Sequence, residues 1–565
     1  MPFSQHSQAR IGLAILAAVS FAHAQTPPDA GALRQQIERQ LPQALPGERK
    51  PLSALPQEYK PAPGLTVTVK QFRFAGNILL TAEQLAPAVS SFLNRPLDFA
   101  GLQQATAAVS EAYRAAGWLV RVYLPRQEIQ DGIVTLQIVE GIFGKVRIEG
   151  TPPSRLAAGR AEATIAAAQP AGQALNAAAL DRAMLVLDDL PGIAVSGNLA
   201  PGSGQAETDL VLKVVDEPLM NGEVGLDNTG SRATGEDQLT ANAYLNSPLK
   251  FGDQLVANFI HAEGSDYLRL AYSAPVGHNG LRFGISASRL DYDVVTREFD
   301  GADVKGKSTA KGVNVQYPLI RSRTQNLYLS AAYDDKAFDN EFAGATTTRY
   351  DIRNFTLGLI GNRFDRWGGG GANFASLNLT AGEVDLDGSP NKAADAATTQ
   401  THGNFTKLRY ALSRQQALTP DLSLYALLTG QFADKNLDSA EKFYLGGAYG
   451  VRAYPANEGG GSEGTLLNLE LRWRAMTNLV VTGFYDWGSV KINENNNFAG
   501  APALNRYELE GLGASVAWTG PLGLTLKGSY AHRLGNNPNR DATTGKDQDG
   551  SLDKNRFWLT ASLPF

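Results

Sequence analysis

Between Leu219 and Phe565 the chain repeats one pattern: a short segment of alternating apolar and polar residues, then a polar connection. Sixteen segments can be drawn, near 220–228, 237–246, 252–262, 264–275, 280–291, 308–319, 325–335, 350–363, 371–383, 403–415, 421–434, 464–473, 479–488, 508–519, 522–533 and 556–565. In one, Leu239, Ala241, Ala243 and Leu245 oppose Thr240, Asn242 and Tyr244. In another, Leu467, Leu469, Leu471 and Trp473 oppose Asn468, Glu470 and Arg472, and the last puts Phe557, Leu559, Ala561, Leu563 and Phe565 on one face. A period of two is that of a strand with two different faces. The odd-to-even connections include the long ones, 292–307, 336–349, 384–402, 435–463, 489–507 and 534–555, whereas others, such as 276–279 and 520–521, are tight turns. Long loops at one end and short turns at the other describe a transmembrane β-barrel of antiparallel strands, with both barrel ends on the periplasmic side. Two packed soluble sheets would not require that strict alternation of connection length.

Composition sets limits on the rest. A net charge of −5 gives no footprint for nucleic acid. The chain has no cysteine, which removes disulfides and thiolate metal sites. No apolar run reaches the roughly 18 residues of a spanning helix. The polar start with His6 and Arg10, the apolar stretch Ile11–Ala22 and the sequence Ala22-His23-Ala24 read as a signal peptide over 1–24.

Residues 25–41 contain a short amphipathic helix, with Leu33, Ile37 and Leu41 at intervals of four. A helix this short is marginal alone and needs a docking place. The segment 42–64 holds Pro42, Pro46, Pro51, Pro56, Pro61 and Pro63, which makes it an extended tether. Residues 65–141 and 142–217 read as two copies of one α+β module. In the first, a strand through Phe72 and Phe74 ends at Gly76, a helix from about Gly101 ends at Gly117, and strands follow near 118–124 and 133–139. In the second, Val146 and Ile148 precede Gly150, a helix through Leu180, Met184 and Leu187 ends at Gly192, and strands follow near 193–199 and 208–215. The barrel then occupies 218–565.

The loop 435–463 is unlike the others. Phe443, Tyr444, Leu445, Tyr449, Val451 and Tyr454 need a surface to bury against, and the nearest is the barrel interior. On strand thirteen, if Tyr485 and Trp487 face lipid, then Thr482, Phe484, Asp486 and Gly488 face the lumen. Arg452 could then meet Asp486, or remain a solvated loop charge; spacing leaves both open.

The chain resembles the TpsB family (ShlB/FhaC-like), outer-membrane transporters of two-partner secretion within the BamA-related superfamily. The similarity rests on Val451-Arg452-Ala453-Tyr454, like the family's Val-Arg-Gly-Tyr loop motif, and on Phe484-Tyr-Asp486-Trp-Gly488, like its Phe-x-Asp-x-Gly motif on strand thirteen. Leu226-Asp-Asn-Thr-Gly230 and Leu190-Pro-Gly192 also look like family segments. The resemblance implies an N-terminal plug helix, a linker, two periplasmic POTRA modules and a sixteen-stranded barrel with loop 435–463 folded inward. It further implies an Arg452–Asp486 pair. Ala453 departs from the family glycine, and if that glycine needs a positive φ, Ala453 carries strain.

The implied function is translocation of an unfolded partner exoprotein from the periplasm to the cell surface or medium. The partners are then a TpsA-type exoprotein held by the POTRA modules and outer-membrane lipid, with a monomer favoured. No enzymatic activity, cofactor or metal is expected. A barrel-assembly factor and a passive porin or receptor are the alternatives; the first usually carries three or more POTRA modules, and the second leaves residues 65–216 without a use. Gly460-Gly-Ser462-Glu-Gly464 lacks the strand–turn–helix setting of a nucleophile elbow. Asp385-Leu-Asp387-Gly388 and Asp547-Gln-Asp549-Gly550 read as solvated charges of outside loops rather than calcium loops.

Overall fold

The computed structural model describes residues 27–42, 45, 66–204 and 206–565. The signal segment 1–24 and nearly all of the tether lie outside the described residues.

Alternation becomes a closed barrel of sixteen strands, from Met220–Asp227 to Asn555–Pro564. Every neighbouring pair is antiparallel; the last strand closes on the first through pairs such as Leu563 with Val224. Outward positions are apolar and exposed, as Leu471 and Trp473 show. Inward positions are polar; Asn242 and Asn258 hydrogen-bond across the lumen face at 2.7 Å.

One expected loop is not a loop. The seventh and eighth strands run to Phe342 and from Ala345, so most of 336–349 is strand. They turn through Ala343 and Gly344 at φ of 52° and 75°. Two successive positive φ values are those of the tight hairpin turn that suits strand twist.

The module repeat has a structural basis. Gly76 and Gly150 have φ of 83° and 86°, and Gly117 and Gly192 have φ of 90° and 87°. At both positions a strand or helix stops in the left-handed region, where a side chain is disfavoured. Each module holds a three-stranded sheet: Gln71–Ala75, Ile133–Glu140 and Val120–Tyr123 in the first, Ile142–Ile148, Glu207–Asp216 and Ile193–Pro201 in the second. Each also has two helices, where the sequence suggested one. The additional ones are Ala82–Val89 and Arg160–Ala168. The first begins with a capping box, Thr81 with Gln84, a legible start signal.

The second module is fastened to the barrel's periplasmic turns. Arg321 makes two contacts of 2.7 Å with Asp189, and Ala157 N donates to Lys250 O at 2.6 Å.

Candidate functional site

Two segments fill the lumen. The first is loop 435–463. The thirteenth strand, Leu479–Lys491, turns Thr482, Phe484, Asp486 and Gly488 inward because side chains alternate across a sheet. The twelfth, Glu463–Met476, pairs Asn468 with Asp486 and Glu470 with Phe484. Asp486 is fully buried.

Arg452 reaches this wall. Its Nε donates to Asp486 Oδ2 at 2.8 Å and its NH2 to Oδ1 at 2.6 Å. The Arg452 backbone N–H also donates to Oδ2, at 3.0 Å. The other terminal nitrogen donates to Glu470 Oε1 at 2.7 Å. The guanidinium lies 3.5 Å from the Phe484 ring centroid. Asn468 Nδ2 donates to Asp486 Oδ1 at 2.7 Å, and Trp558 Nε1 donates to Arg452 O at 2.8 Å. A planar fork fixed on two carboxylates, stacked on a ring and dry, defines one geometry. Glu470, Asn468 and Trp558 were not singled out from sequence. Glu470 and Asn468 sit on the inward register the alternation had already assigned. Trp558 is brought in from the last strand, and no local pattern announces it.

The motif glycine has a spatial reason. A Cβ at Gly488 would stand 2.6 Å from Leu445 Cδ2. The strain expected at Ala453 is absent: among the described residues its φ is not one of the positive values. Its methyl is accommodated opposite Gly511, where an added Cβ would stand 2.6 Å from Ala453 Cβ. Leu445, Val451, Ala453 and Tyr454 are fully buried. Tyr449 differs from expectation and is 55% exposed, facing a lumen cavity of about 430 Å³.

Further ionic contacts hold the same loop. Glu441 pairs with Lys336 at 2.9 Å and with Lys407. The Arg533 guanidinium lies 4.2 Å from the Tyr454 ring centroid and pairs with Asp547. Asp547 is thus buried and ion-paired, and Asp549 pairs with Arg556 at 3.0 Å; neither is the solvated charge the sequence suggested. Asp387 stays exposed, paired with Lys392. Glu458, fully buried, accepts from Asn537 Nδ2 at 2.9 Å and from Gln548 N at 3.0 Å. Burial, and then the nearby Asp547 carboxylate, push its carboxyl up to about 7. Ser462 is structural: its Oγ accepts from Leu437 N at 3.0 Å and donates to Ile492 O at 3.2 Å.

The second segment is the N-terminal helix, Ala30–Gln40, capped by Asp29 Oδ1, which accepts from Ala32 N at 2.9 Å. Leu33 and Ile37 pack among Tyr267, Leu290, Phe338 and Ile352 on the lumen wall. Leu41, the third expected apolar contact, is half-buried and lines the lumen cavity instead. The polar face is buried too. Arg34 donates to Ser308 Oγ at 3.2 Å and Ser288 Oγ at 2.6 Å. Gln36 donates to Thr229 O and accepts from Asn457 Nδ2, at 3.1 and 3.0 Å. Gly31 lets helix and loop touch, since a Cβ there would stand 2.5 Å from Ser439 Oγ.

Comparison with known proteins agrees with this architecture. Residues 206–543, more than half of the chain, match the family described as haemolysin secretion/activation protein ShlB/FhaC/HecB. Residues 67–141 match the ShlB-type POTRA domain. The heme/hemopexin transporter protein HuxB of Haemophilus influenzae is 26% identical over 559 residues, 95% of each chain. The outer membrane transporter CdiB of Dickeya dadantii is 24% identical over 426 residues, 73% of each. The solved structure of CdiB from Escherichia coli covers 100% of both chains at a TM-score of 0.69 and 18% identity. That of BamA from Haemophilus ducreyi lacking POTRA domains 1–3 covers 88% of this chain and 100% of its own, at a TM-score of 0.52 and 16% identity. The two structures share the fold. The chain belongs to the ShlB/FhaC/HecB family of two-partner secretion, and it translocates a partner exoprotein across the outer membrane, with its POTRA modules in the periplasm.

Proposed function

We propose a division of labour inside the lumen: loop 435–463 is a fixed part of the channel wall, and the helix Ala30–Gln40 is a removable plug. The difference in their attachments carries this reading. Each hydrogen bond between the helix and its walls has a neutral partner on at least one side, such as Ser288, Ser308 or Thr229. Its own ion pair, Arg34 with Glu38 at 2.8 Å, lies within the helix and leaves with it. Water can satisfy the hydroxyls and amides left behind. The loop is held by buried ion pairs instead, and parting one strands a charge.

The exoprotein arrives extended. Val120–Tyr123 is an edge strand of the first module, paired on one side only within its sheet, and can accept an added strand. The barrel closes on its own first and last strands, which supports a single chain embedded in lipid as the working unit. Folding of the partner outside opposes its return. Deleting residues 26–41 is expected to raise single-channel conductance in planar bilayers; unchanged conductance would count against the plug.

A further inference from the structure

Four residues beyond Leu41, the tether's Leu45 lines a cavity of about 380 Å³ between the second module and the barrel mouth. That volume, with Leu45 in place, lies within the range of small-ligand pockets, roughly 300–1,000 Å³. Val186 and Leu190 of the module form one wall, and Pro275, Pro318 and Tyr328 of the barrel form the other. Tyr328 is on the inward register of the seventh strand, so the cavity adjoins the entrance to the lumen. The two walls are locked together by the Arg321–Asp189 pair, which makes the cavity a fixed feature.

Arg160 adds a polar clue. One of its terminal nitrogens donates to Gly277 O at 3.2 Å, whereas its Nε is buried without a hydrogen-bond partner among the described residues. A buried donor without a partner is costly, and a backbone carbonyl of a segment crossing the cavity would satisfy it. Pro42 and Pro46 flank Leu45 in sequence and favour the extended backbone that presents one side chain to a pocket.

We propose that this cavity is a docking site for an aliphatic side chain of the exported chain on an extended backbone: at rest Leu45 packs along one side of it, and the exported chain takes its place there when the helix leaves. The site gives the plug a second hold, outside the lumen. It also places the first apolar contact of the incoming chain between module and barrel. The takeover rests on the translocation reading; the resting occupancy does not.

The absence of cysteine gives a clean test. An Ala44→Cys/His278→Cys double variant in proteoliposomes, which keeps Leu45, is expected to cross-link with a short bismaleimide. An excess of the peptide PQALPGERK, residues 42–50, should suppress the cross-link. The same peptide with aspartate in place of leucine should not. In planar bilayers, Leu45→Asp is expected to raise the fraction of time spent open by roughly fivefold, the effect of losing one half-buried aliphatic side chain. No cross-link, or a competitor that works equally well without its leucine, would overturn the docking site. A cross-link undiminished while a co-expressed exoprotein is exported would overturn the takeover and confine the site to the tether. Secretion independent of residues 65–216 would instead overturn the proposed capture by the modules, and the resting cross-link would still form.

Discussion

Loop 435–463 and the helix Ala30–Gln40 occupy the same lumen, touch at Gly31 and Ser439, and are both largely buried. They differ in what their departure would leave behind. Withdrawing Arg452 leaves Asp486 fully buried with Asn468 but no cation, and Glu470 with Arg472 alone. Withdrawing the helix leaves serine, threonine and asparagine groups that water can solvate, an apolar patch around Phe338, and Arg409, which loses Gln35 but keeps Gln431 and the Lys442 carbonyl. On the proposed reading, a segment is fixed or removable according to the groups it abandons, more than according to how much of it is buried.

The comparison can be broken most severely at the loop. Arg452→Ala should destabilise the loop by about 3–5 kcal/mol, the effect of stranding one member of a buried pair. Secretion should fall sharply while the barrel still inserts, as heat-modifiable migration on gels would show. Asp486→Ala should behave alike, and the double variant should be little worse than either. Normal secretion by Arg452→Ala would sink the loop's role.

A smaller effect is expected at the helix. Arg34→Ala removes two hydrogen bonds to serine hydroxyls, together about 1–3 kcal/mol, and also the pair with Glu38, which is internal to the helix and is lost from the docked and the released helix alike. Channel opening should become more frequent, by about tenfold, and secretion should persist. Loss of secretion without more opening would place the helix among the fixed parts.

The smallest effect concerns the outer end of the loop. Glu458, raised to about 7 by burial and by Asp547, is stabilising when protonated. Its folded value exceeds its unfolded one, so that contribution is complete below the usual carboxylate range and lost as pH rises through about 7. Hydrogen-exchange protection over residues 454–462, taken relative to the intrinsic base-catalysed rate at each pH, should fall between pH 6 and pH 8, and Glu458→Gln should flatten the change. Protection equally pH-dependent in that variant would assign the effect elsewhere.

What the sequence made legible follows from local periodicity. The inward face of strands twelve and thirteen could be read because Leu467–Trp473 alternates cleanly. The outer halves of strands seven and eight could not: from Asp334 to Tyr350 both faces are largely polar, and only Phe338 and Tyr350 mark the inner side. The helix Ala82–Val89 was hidden by its length and by Pro87. The Arg452–Asp486 contact was reached through family resemblance; spacing alone could not choose between a pair and a solvated charge. The burial of Asp547 depends on Arg533 across a long loop, a partner that no local motif names.

The most direct test of the division between wall and plug uses the cysteine-free chain again. Single variants Ile37→Cys and Val451→Cys would be probed with a membrane-impermeant maleimide, with the exoprotein absent and during its export. Export is expected to expose position 37 to labelling and leave position 451 protected. Protection at 37 with new labelling at 451 would contradict the account and make the loop the part that moves.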